Sequence, residues 1–147
     1  MSVLARKARA VRDLARAVGA VRRARLAVAR RPIGALVGAE PQAPEMPPPS
    51  AAIVPAPADR QRGLRWASAV DRALRILPGD AACLIRSQAL RELLAADGLV
   101  GAAVRIGVRR GPKGFEAHAW VELDGMPIAE PASLRGAFAS FDRVTIR

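Results

Sequence analysis

A chain with one thiol and one imidazole can build a thiol–imidazole site in only one way. Here the cysteine is Cys83 and the histidine is His118. Cys83 opens an apolar, helix-patterned stretch, CLIRSQALRELLAADG, and His118 lies in an alternating stretch, FEAHAWVELDG. A nucleophilic sulfur needs a base beside it, and a third group must orient that base. A plainer reading stands next to this one. A lone cysteine at a helix start is commonly a small buried hydrophobe, and a lone histidine in a strand is commonly a hydrogen-bonded structural residue. Either the pair is the active site, or the chain has no site of this kind.

The elements that must position the pair are legible from about residue 59 onward. LRWASAVDRALRIL, residues 64–77, has helical periodicity with Trp66, Val70, Leu74 and Leu77 on one face, and Pro78-Gly79 ends it. Asp80 is the expected N-cap of a second helix over about 81–96, stopped by Asp97-Gly98. Val104, Ile106 and Val108 then alternate with Arg105, Gly107 and Arg109, which predicts a strand. Gly111 to Gly114 predicts a turn. Phe115, Ala117, Ala119, Val121 and Leu123 alternate with Glu116, His118, Trp120 and Glu122, and short strands are expected at 126–130 and 143–147. Helices followed by antiparallel strands make an α+β domain, with helices packed on a small antiparallel sheet.

In that arrangement Cys83 falls in the first turn of its helix. Free backbone N–H groups and the positive dipole end favour a thiolate there, opposed in part by the Asp80 carboxylate if it caps the helix. His118 points away from the aliphatic side of its strand, onto a face where helices covering it would bring it to the helix N-terminus. The orienting carboxylate is Asp124 or Glu130. Asp124 lies six residues along the same strand from His118, roughly 20 Å away. For Glu130 the turn decides. A two-residue loop of Asp124-Gly125 pairs Leu123 with Met126 and sets Pro131 opposite His118. A three-residue loop with a left-handed Gly125 pairs Glu122 with Met126. Glu130 then stands opposite His118 on the same face, with Cβ atoms about 5 Å apart. The expectation is the three-residue loop and Glu130, the alternative being a surface glutamate beside Pro131.

Composition bounds the rest. The chain has 147 residues, enough for one domain with an appendage, and aromatics make up only 3% of it, so a thin aliphatic core is expected. A single cysteine rules out an internal disulfide and suits a reducing cytoplasm. No apolar run reaches the roughly 18 to 20 residues of a membrane span. The net charge of +11 sits mainly in residues 1–31, where Asp13 is the only acid among the Lys and Arg residues. Residues 3–31 read as a helix with Leu4, Val11, Val18 and Leu14, Val21, Val28 forming a seam broken by Lys7 and Arg25. The segment 1–40 is thus a basic helical appendage, fit to pack on its own domain or a partner protein. A membrane surface is a further possibility. Nucleic acid is disfavoured, because no aromatic or recognition motif accompanies the arginines. The proline-rich stretch 41–58 is an expected linker to the domain at 59–147.

The run CLIRSQALRELLAADGLVGAAVRIGVRRG followed by AHAWVELDGMPI resembles the transglutaminase-like cysteine proteases of lasso peptide biosynthesis. More narrowly, it resembles the stand-alone leader peptidase that forms the C-terminal half of the split B protein. The match covers about residues 64–130. It implies a papain- or transglutaminase-like fold and a peptidase that removes the leader from a ribosomally made precursor. Cys83 would be the nucleophile, His118 the base and Glu130 the acidic member, at a position where the family often has Asp. Implied partners are the precursor's leader, a leader-recognition protein and an ATP-dependent macrolactam cyclase. The chain shows no phosphate loop and no metal-ligand cluster, so no cofactor is expected. Two other readings remain: acyl transfer to an amine by the same fold, and a non-catalytic adaptor that binds a partner or membrane through its basic helix.

Overall fold

The computed structural model describes residues 2–31, 54–80, 82–131 and 133–140. Most of the expected linker and the strand candidate at 143–147 lie outside the described residues. In chain order the elements are α1 (Val3–Arg30), α2 (Pro57–Ile76), α3 (Cys83–Ala96), β1 (Ala102–Gly111), β2 (Gly114–Leu123), β3 (Met126–Pro127), α4 (Leu134–Ala137) and β4 (Ala139–Ser140). The fold class is the expected α+β. Among the described residues no helix is long and apolar enough to cross a membrane.

Ser2 caps α1, its Oγ accepting from the Ala5 N–H at 3.2 Å. Arg31, the residue before Pro32, is already extended with φ −120°, as steric conflict with the following ring requires. The expected apolar seam packs only from its middle onward: Val21 is buried and Leu14 and Val18 lie against the core. Leu4 and Val11 are 80% and 67% exposed, whereas Ala17, Ala20, Val21 and Ala24 are buried. Residues 2–9 are exposed throughout, so the apolar side chains there meet nothing to pack on among the described residues. The small alanines further along let α1 approach α2 and α3 closely. α1 therefore shares one core with Trp66, Val70, Ala73, Leu90, Leu93 and Leu94, and the proline-rich stretch separates it from the rest only in chain order.

α2 begins seven residues earlier than its apolar periodicity suggests. Pro57, read as part of the linker, opens the helix, where a missing N–H costs nothing and the fixed φ is already helical. Both tryptophans are fully buried, so the core is not purely aliphatic. α3 closes in a Schellman turn: the Gly98 N–H donates to Ala95 and the Leu99 N–H to Leu94, with Gly98 at φ +82°. Asp97, the C-cap, then ties α3 to α2. Its carboxylate accepts from Trp66 Nε1 at 3.0 Å and from Arg62 Nε at 3.2 Å, and it lies 3.3 Å from Arg65 Nη2.

The sheet is antiparallel in the order β3-β2-β1-β4. Ala102, Val104, Val121 and Leu123 lie in the cluster with the α3 leucines, so the aliphatic face of the β1–β2 hairpin rests on the helices. The opposite face carries Arg105, Gly107, His118, Trp120 and Glu122. Phe138 and Arg135, from the α4 segment, cover it. The expectation that helices cover the histidine face is therefore wrong: the aliphatic face took the helices because it offered the larger apolar area to bury.

Candidate active site

Cys83 is the first residue of α3, and its N-cap is Ala82, not Asp80. No side chain among the described residues caps this end, and the first turn holds no acidic residue. An anionic sulfur at Cys83 would face unpaired backbone N–H groups without the opposing carboxylate expected from Asp80. The loop into α3 is held from an unexpected direction. Arg25 of α1 donates to the Pro78 carbonyl at 2.6 Å, the Gly79 carbonyl at 3.3 Å and the Asp80 carbonyl at 3.5 Å. Gly79 bends the loop with φ +101°, a conformation that glycine adopts freely.

The hairpin that carries the acid differs from expectation. Leu123 pairs with Met126 and Glu122 with Pro127, so the loop is the two-residue Asp124-Gly125. Both turn residues are left-handed, at φ 51° and 84°. This matches a type I′ turn, whose twist suits the flanking strands and which the Asp-Gly pair favours. The three-residue loop is thereby contradicted, and with it the register argument for Glu130. That register, extended, would place Pro131 opposite His118.

The chain does not follow the register that far. Pairing ends after Pro127, apart from the Ile128 N–H donating to the Val121 carbonyl at 2.9 Å. Ile128 is buried in the helical core, packed at Gly63 of α2. Ala129 then takes φ +59°, a left-handed conformation unusual for a residue with a Cβ. Strand β3 thus covers two residues instead of the expected five. Beyond the break Glu130 Oε1 lies 3.5 Å from His118 Nε2, an ion-pair distance. Glu130 reaches His118 through a backbone reversal, not through strand pairing.

Arg86 completes the group. Its Nη1 donates to the same Glu130 oxygen at 3.5 Å, and its Nε and Nη2 grip the Asp71 carboxylate at 2.7 and 3.3 Å. The hydrogen bond to Asp71 holds the guanidinium above its ordinary value, with burial opposing and the charges of Asp71 and Glu130 adding. Arg86 is three residues after Cys83 in α3, so the two are neighbours on one helix face. Arg86 thereby links α3, close to its start, to the carboxylate that meets His118.

The imidazole is held by packing as well. It lies parallel to Trp120, with centroids 6.2 Å apart and planes at 17°, and Phe138 is 5.8 Å away. Trp120 Nε1 donates to the buried Glu122 carboxylate at 3.1 Å, which also pairs with Arg105 and Arg135. Gly107, opposite His118, leaves the room: a Cβ there would lie 2.6 Å from Phe138 Cβ and 2.9 Å from the Trp120 ring.

Sequence reasoning missed Arg25, Arg86, Trp120 and Phe138 as members of this group. Arg86 had a usable signal, its three-residue spacing from Cys83. Arg25 had none, because its contacts cross more than fifty positions of chain. Among the described residues no group of three or more His, Cys, Asp or Glu could hold a metal.

Searches of curated proteins and of solved structures find no match. A family model described as the transglutaminase-like superfamily matches residues 6–141, from the first turns of α1 to just past β4. That family has the papain-like fold of cysteine peptidases and acyltransferases, in keeping with a helix that opens on cysteine, a strand histidine and a carboxylate beside it. The chain belongs to the transglutaminase-like superfamily.

Proposed function

We propose that this chain is a cysteine peptidase that removes the leader from a ribosomally made lasso peptide precursor, with Cys83 as nucleophile, His118 as base and Glu130 as the orienting carboxylate. The observation that carries the reading is the convergence on one Glu130 oxygen of His118 from β2 and of Arg86 from the helix that Cys83 opens. The lasso assignment is supported by the resemblance carried by CLIRSQAL, RIGV and AHAWVELDG.

The Cys83 thiolate attacks the scissile carbonyl, and by analogy with other thiol peptidases the backbone N–H of Cys83 donates to the developing oxyanion. The C–N bond breaks as the His118 imidazolium gives its proton to the leaving amine, which leaves a thioester on the sulfur. His118 then takes a proton from water as that water attacks the thioester; the C–S bond breaks, restoring the thiolate and imidazolium and releasing a carboxylic acid that gives its proton to solvent. The Glu130 charge supports the imidazolium in both halves of the cycle. A leader-recognition protein and a macrolactam cyclase are the proposed partners, and the reaction needs no cofactor.

Mass spectrometry of a lasso precursor incubated with the chain and a recognition protein tests the reading. Two fragments whose masses sum to the precursor plus one water are expected, and none from Cys83→Ala. A product that has joined an amine with loss of ammonia would favour acyl transfer. Unchanged cleavage by Cys83→Ala would end both.

A further inference from the structure

A second charged site lies at the other end of α3. Arg9, Arg12 and Arg16 of α1 and Arg65 of α2 line a cleft of about 280 Å³, with Asp13 and Asp97 among its walls. The acids are already engaged: Asp97 with Trp66, Arg62 and Arg65, and Asp13 with Arg65 at 3.6 Å. The arginines of α1 are not. Arg9 and Arg12 meet no carboxylate among the described residues, and Arg16 is held only over the Trp66 ring, 4.8 Å from its centroid. Arg65 is engaged, its Nε facing Asp13 at 3.6 Å and its Nη2 facing Asp97 at 3.3 Å. The unspent guanidinium donors of the cleft are therefore those of α1, an arrangement that calls for an anion.

The spacing says which kind. Arg9, Arg12 and Arg16 fall on one helix face at intervals of three and four, so they form a row about 10 Å long. A row suits several separate carboxylates better than one compact phosphate, and the two aspartates repel a dianion set deep among them. A nucleotide also lacks a platform, because Trp66 is fully buried beneath Arg16 and Arg65. We infer that the cleft is a docking site for an acidic peptide segment, read by carboxylate–guanidinium pairs. Asp97 caps the end of α3 opposite Cys83, so along the 14-residue helix the cleft lies about 20 Å from the thiol. An extended peptide spans that in about six residues. If the peptidase reading holds, on which this last step rests, the segment is part of the substrate at least that far from the bond cut.

Anisotropy of fluorescein-labelled hexaglutamate, titrated with the full chain, tests the site without requiring turnover. Binding is expected at low salt and lost at about 1 M salt, where the screening length falls to ~3 Å. Arg9→Glu/Arg12→Glu, and the milder Arg9→Gln/Arg12→Gln, should weaken it about tenfold or more. Arg22→Glu/Arg75→Glu carries the same charge change outside the cleft and should bind within about twofold of the parent, as should Cys83→Ala. The inference is overturned by absent binding at low salt, by equal weakening in the control double, or by displacement of the peptide by equimolar pyrophosphate. Failure of the parent chain to cleave the precursor while it still binds hexaglutamate would strike the peptidase reading and leave the docking site standing.

Discussion

At the scale of single residues the site turns on Glu130. Its position was legible, but the reason was not. Reading residues 126–130 as a strand made loop length the deciding variable, and Asp-Gly chose the two-residue form because both residues tolerate a left-handed backbone. The carboxylate still reaches His118 because Ala129 reverses the chain after Ile128 is pulled into the helical core. No periodicity marks an alanine for that conformation; long-range packing imposes it. Glu130→Gln keeps the shape and removes the charge. On the proposed mechanism kcat falls by about 10²-fold or more, with KM little changed, because the imidazolium loses its counter-charge when it forms. Glu130→Asp should recover part of the rate. Steady-state kinetics on a cleaved precursor check both, and an unaltered kcat in Glu130→Gln would remove Glu130 from the machinery.

At the scale of elements, α3 is fixed at both ends by side chains from other helices. Near its start, Arg25 holds the carbonyls of residues 78–80, just ahead of Cys83. Read in sequence, Arg25 only interrupted an apolar seam; in the fold it is the link from the basic helix to the loop that precedes Cys83. Arg25→Ala should release that loop and lower kcat by about tenfold to a hundredfold, since a small displacement of a reacting group is costly. Arg25→Lys should restore part of the rate, and equal rates for Arg25→Ala and the parent would contradict this. At the other end, Asp97 binds Trp66 and Arg62. Although burial alone would raise its carboxyl, those hydrogen bonds and the charges of Arg62 and Arg65 bring it below the usual carboxylate value. The unfolded value is about 3.9, so the stabilisation is complete above that pH and is lost as the pH falls through the lower folded value. Asp97→Asn should therefore cost about 1–3 kcal/mol at neutral pH, with the gap to the parent narrowing below about pH 4. Denaturant melts across pH measure it, and a gap constant down to pH 2 would contradict the assignment.

At the scale of the whole molecule, the basic N-terminal segment is both scaffold and surface. Its charge was plain in the sequence, and its packing was not. Leucine and valine spacing pointed to a seam running from Leu4 to Val28, yet Leu4 and Val11 are exposed and burial begins further along, at Leu14, Val18 and Val21 with the alanines at 17, 20 and 24, where the body of the fold lies. Periodicity shows which face is apolar, but not where along a long helix a partner surface begins. The α+β class, the order of the three long helices and the first two strands, and the face of His118 were readable because each depends on local pattern; α4, β4 and the covering of that face by Phe138 depended on chain far along the sequence. Deleting residues 1–31 removes Ala17, Ala20, Val21 and Ala24 from the core. The truncated chain should lose its cooperative thermal transition by circular dichroism, and a sharp transition near that of the parent would show the helix to be a mere appendage. The most direct test of the whole account uses the single thiol. Alkylation of Cys83 by iodoacetamide at about pH 6.5, below the ordinary thiol range, should be many times faster in the parent than in His118→Ala, because the imidazolium stabilises the thiolate. Equal rates in the two proteins would contradict a Cys83–His118 pair, and with it the proposed peptidase.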